Sequence, residues 1–111
     1  MDIMNLRMLT RFSDVKGLLD TVEKRRSVKR ELLKTRSFNL VLVCLDRDQE
    51  IPPRPEPYDV CFYVIEGSGT FTVGNEKSDL STGEIVFAPA NVVRGVKCKE
   101  PMAILGIQEP H

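Results

Sequence analysis

From residue 37 to residue 111 the chain predicts an all-β fold, a closed barrel of two facing antiparallel sheets, with one short helix ahead of it. Two observations carry that expectation. Short apolar segments rich in valine and isoleucine recur along this stretch, and glycine and proline turns separate them at the spacing of strands in a sandwich or barrel. The length, 111 residues, makes this one domain, enough to bury roughly two thirds of the surface of the unfolded chain.

The elements follow in order. The first dozen residues are weakly patterned and fit a strand or an arm. Ser13 offers a helix N-cap, Asp14 suits the first turn, and Val15, Leu18, Leu19 and Val22 share one helical face, so residues 14–24 predict a short amphipathic helix. Residues 28–34 predict a charged edge strand. "FNLVLVCL" is nearly continuous in apolar residues, as in a strand buried on both faces. The prolines at 52, 53, 55 and 57 argue against ordinary sheet pairing and for an extended rim segment. "VCFYVIEG" is the next strand, and "GTFTVGNEKSDLS" a hairpin turning at Gly74-Asn75. "GEIVFAP", "VVRGVKC" and "MAILGIQ" each predict a further strand. Residues 1–36 thus form a helix and edge-strand segment, packed on the barrel or swapped with a second copy, and residues 37–111 form the barrel itself.

Lysine plus arginine and aspartate plus glutamate are balanced at 16 each, but the halves differ. Residues 1–36 carry ten basic and five acidic side chains, and the rest six and eleven, so the two parts stand at +5 and −5. A basic arm is a feature of nucleic-acid and membrane-surface binders, yet aromatic interleaving and low complexity are missing. We read the arm as a solvated helix face beside an acidic barrel and expect neither nucleic acid nor membrane as a partner. Cys44, Cys61 and Cys98 are odd in number and far apart, which makes no disulfide framework and no zinc pair. Buried free thiols, with no apolar leader or membrane-length run, lead us to expect a cytoplasmic protein.

The stretch "YDVCFYVIEGSGTFTVGNEKSDLSTGEIVFAPANVVRGV" resembles the heart of a small single-domain cupin, over about residues 38–108. Gly67 stands at the glycine of that family's first motif, and Gly83 and Pro89, with "EIVFA" between, stand at the glycine and proline of its second. The resemblance implies a double-stranded β-helix, or jelly-roll barrel. It also implies a metal site, and there this chain departs. The family's glutamate position holds Val60, its first two histidine positions hold Arg54 and Glu56, and its last holds Arg94. The chain's one histidine is His111, which we expect to be mobile. Guanidinium groups stay protonated and do not ligate, so we expect no metal and no cofactor.

Period-two alternation puts Val60, Phe62 and Val64 on one inward face, and Arg94, Val96 and Cys98 on another. The candidate binding residues are therefore Arg54, Glu56, Tyr58, Val60, Phe62, Arg94 and Cys98, around an apolar floor with arginines at its mouth. Two readings of the arginines stand open. They grip a small carboxylate or phosphate, or they pair internally with Glu56 or Asp59. Cys98, beside Arg94, is expected to have a depressed pKa, while Cys61 faces away from the pocket. No residue is assigned as catalytic. The first function is a binding or sensing module for a small anionic or partly apolar molecule. The alternatives are a metal-independent enzyme of isomerase or epimerase type, using Glu56, Tyr58 or Cys98, and a structural or regulatory interaction protein. We also expect a homodimer, because a monomer does not readily bury both faces of "LVLVCL".

Overall fold

The computed structural model describes residues 28–111 together with Met1 and Ile3; the helix expected at 14–24 lies outside the described residues. The strands are β1 (Val28–Lys34), β2 (Asn39–Leu45), β3 (Glu50–Pro55), β4 (Val60–Val73), β5 (Glu76–Ser81), β6 (Ile85–Ala88) and β7 (Val93–Gln108). They form one antiparallel sheet in the order β1-β2-β7-β4-β5, with β3 on β7 and β6 on β4.

The long strands β4 and β7 give this sheet its shape. The first half of β4 pairs with β6 and with the second half of β7, while its second half pairs with β5 and the first half of β7. Between the halves the register slips three times, from Val64 to Gly69, and there the sheet folds over. The outcome is a barrel whose principal core joins Val43, Leu45, Val64, Met102 and Ile104 from one half to Phe71, Leu80, Val96 and Cys98 from the other.

The expected edge strand at 28–34 is β1, which among the described residues pairs only with β2. The hairpin at Gly74-Asn75 forms as expected, with Val73 opposite Glu76. Three expectations are corrected. "VVRGVKC" and "MAILGIQ" are one strand, β7, which carries Pro101 through the fold-over. "VCFYVIEG" and "GTFTV" are likewise the single strand β4. The proline segment does pair: Glu50 and Ile51 face Lys97 and Val96, the register breaks across Pro52 and Pro53, and Arg54 resumes opposite Arg94. Proline lacks a donor, and the break falls where two successive donors are missing.

β2 is buried on both faces within one chain. Val41, Val43 and Leu45 point into the barrel, and Leu42 and Cys44, each 0% exposed, join Ala103 in a second cluster on the outer side, flanked by Leu32 and Ile65. The need that pointed to a second copy at "LVLVCL" is met by the chain itself.

Candidate functional site

One end of the barrel holds a cavity of about 220 Å³. β2 supplies Val41 and Val43, β3 supplies Ile51, and β4 supplies Val60 and Phe62, so its floor and walls are apolar. The polar lining is Lys29, Arg54, Glu56, Tyr58, Arg94 and Gln108. Arg54, Glu56, Val60 and Arg94, the four positions matched to the family's metal ligands, thus converge on one cavity. Tyr58 and Phe62 join them there, whereas Cys98 does not.

Arg94 is 5% exposed and does not form the internal ion pair that one of the two readings gave it. Its guanidinium makes no ion pair among the described residues. It donates instead to four backbone carbonyls: from Nε to Val92 at 2.9 Å, from Nη1 to Tyr58 at 2.8 Å, and from Nη2 to Pro89 and, at 3.5 Å, to Glu56. Arg94 therefore ties the segment 56–58 to the turn 89–92. Its guanidinium carbon also lies 5.4 Å from the centre of the Tyr58 ring. The carbonyl dipoles solvate the charge without cancelling it.

Arg54 behaves as the internal-pair reading holds, donating from Nε to Glu56 Oε1 at 2.6 Å. The pair is a rim feature, since the Arg54 side chain is 74% exposed. Asp59 takes no part in it; its Oδ1 accepts from the Ala90 amide at 2.7 Å. Burial pushes the Tyr58 phenol above its usual pKa, the Glu56 carboxylate adds to the shift, and Arg94 and Arg54 oppose it. Tyr58 accordingly stays a neutral hydroxyl at physiological pH.

One expectation about a reactive group is overturned. Cys98 faces inward but lies beyond the cavity, in the packed core, where its Sγ meets the carbonyls of Glu100 and Leu45 at 3.0 and 3.6 Å. Burial pushes this thiol up to about 11, the opposite of a depression by Arg94. His111 stacks flat on Tyr58, with ring centres 3.9 Å apart and planes within 4°. Cys61 does face away from the cavity, opposite Phe87 and Ile107 on the outer side of the sheet.

Sequence reasoning missed Lys29 and Gln108. Lys29 lies on the charged edge strand, but its register partner Val43 is an inward residue, and Lys29 is among the residues that line the cavity. Gln108 continues the alternation from Ile104 along β7, a signal present in "MAILGIQ", and it is 5% exposed.

The residues present do not fit a metal. Among the described residues no three histidine, cysteine, aspartate or glutamate side chains come together, and the matched ligand positions hold two guanidiniums, an alkyl side chain and one carboxylate.

Comparison with known proteins agrees with this geometry. A protein of Streptomyces coelicolor described as uncharacterized is 28% identical over 78 residues, which span 67% of this chain and 74% of that protein. The crystal structure of TT1209 from Thermus thermophilus superposes with a TM-score of 0.82 at 24% identity, covering 99% of this chain and 98% of that one. KdgF from a Halomonas species gives 0.73 at 24% identity over 77% and 81% of the two chains. An RmlC-like cupin of Shewanella frigidimarina gives 0.71 at 20% identity over 75% of each. These likenesses establish the fold. The family model described as "Cupin domain" matches residues 41–107, more than half of the chain, and spans the two glycine turns, the folded-over β4 and the cavity wall. On that match and that architecture, this chain belongs to the cupin family.

Proposed function

We propose that this cupin is a binding module for a small anion with an apolar body, held in the barrel without a metal. One observation carries the reading: an apolar cavity whose lining holds three cations, Lys29, Arg54 and Arg94, against the single carboxylate Glu56. Two positive charges are left over. Lys29, an exposed residue of the lining, has no ion-pair partner among the described residues, which supports a role in attracting a carboxylate. Cations lining a cavity with low-dielectric walls strengthen attraction for an anion beyond its value in water.

Binding is favoured over turnover because the three candidate acid–base groups are poorly disposed to take a proton. Glu56 is held by Arg54, Tyr58 retains its proton, and Cys98 is a buried neutral thiol. The protein is proposed to act as a homodimer. With β2 covered by its own chain, an apolar surface open to a second copy is Ile85 and Phe87 on β6, Ile107 on β7 and Phe38 before β2, which are 60, 53, 42 and 38% exposed.

Thermal melts with isocaproate and with isocaproamide, its uncharged counterpart, test the binding reading. Isocaproate at a hundred times its dissociation constant should stabilise the native protein by about 2.7 kcal/mol. The amide should do so far less, and Lys29→Met should remove most of the difference. Equal stabilisation by acid and amide, or none by either, contradicts the proposal.

A further inference from the structure

Gln108 stands apart from the other polar residues of the cavity. Arg94 is engaged by carbonyls and Arg54 by Glu56, but the Gln108 amide makes no side-chain hydrogen bond among the described residues, although the residue is 5% exposed and lines the cavity. Its register partner on β2, Asn39, is 2% exposed and leaves its own Oδ1 buried without a partner. The two amides therefore do not satisfy each other. A ligand that pairs with the Gln108 amide gains hydrogen bonds that the protein does not itself supply.

The position of Gln108 limits which part of a ligand it meets. It is paired in register with Val60, two residues from Tyr58, whose carbonyl holds Arg94. Gln108 is thus on the side of the cavity that Tyr58 and Arg94 line.

We infer that Gln108 is a specificity-determining residue and that the site takes an α-hydroxy carboxylate with a short apolar body. This deepens the anion-binding reading above and rests on it. A primary amide presents an acceptor, Oε1, next to a donor, Nε2. An α-hydroxy acid presents the complement on one edge, a hydroxyl that donates beside a carboxylate oxygen that accepts. A plain carboxylate satisfies Nε2 and leaves Oε1 unpaired. An α-amino acid also offers a donor, but its ammonium enters a lining that already carries two uncompensated positive charges.

Calorimetric titration with three ligands of one shape, α-hydroxyisocaproate, isocaproate and leucine, tests the assignment. The native protein should bind the hydroxy acid at least about tenfold more tightly than isocaproate, with leucine weakest. Gln108→Leu should bring the ratio of hydroxy acid to plain acid close to one while isocaproate still binds. Should the leucine variant melt too early for titration, Gln108→Met, closer in shape, gives the same readout. Equal binding of the two acids by the native protein, or a ratio unchanged by either substitution, overturns the role of Gln108 and leaves the anion site standing. Binding of neither acid overturns both.

Discussion

At Arg94 a guanidinium stands where the family's last histidine is expected, and its work is to hold the rim. Four carbonyls from residues 56, 58, 89 and 92 converge on it. Arg94→Met should therefore cost about 2–4 kcal/mol of stability, since hydrogen bonds to a charged donor are lost together in a buried place. Arg54→Met breaks an ion pair whose arginine is largely in solvent, and should cost no more than about 1 kcal/mol. Denaturant melts of the two variants check the contrast. The position of Arg94 was legible from its spacing to Pro89, but its partners were not. Backbone carbonyls are the same for every residue, so no pattern of side chains announces them. Cys98 shows the complementary limit: alternation gave its inward direction correctly, while its depth along the barrel depends on where the sheet folds over.

Among the elements, the two turns behind the family resemblance differ in what their glycines do. Gly67 has φ of +84°, and a methyl group there would sit 2.1 Å from the Pro101 carbonyl oxygen, inside the fold-over of β4 against β7. Gly83 has φ of +90° but open space around it. Gly83→Ala should cost about 1–2 kcal/mol from backbone strain alone. Gly67→Ala adds a backbone clash and should cost at least about 2 kcal/mol more, or fail to fold. Thermal melts of both variants measure the difference. The strands themselves were legible as apolar runs between turns, from β2 to β7. Continuity was not, because a bend through register slips at Ser68 and Gly69 reads locally like a turn between two strands. Pro52 and Pro53 were taken to exclude pairing because they lack donors; β3 shows that an edge strand tolerates this by breaking register for two residues.

For the whole molecule, the core contains two thiols that fold without their charge. Burial lifts Cys44 and Cys98 from 9.0 to about 11, with Glu66 adding to the rise at Cys44. Above pH 9 the unfolded chain releases these protons while the folded one keeps them. Stability is then fully present below pH 9 and falls as pH climbs towards 11. Chemical melts between those limits should show the fall, and Cys98→Ala should make it shallower. A dimer built on the outer face should appear by light scattering at micromolar concentration, and Phe87→Lys should yield monomers. Whether the cavity at one end of the barrel takes an amphipathic anion is read by an amide-resolved NMR titration with isocaproate. Saturable shifts should concentrate on residues of the cavity lining, among them Lys29, Val41, Val43, Val60, Phe62 and Gln108. Absence of saturation, or shifts gathered on the outer face around Phe38, Phe87 and Ile107, would contradict it.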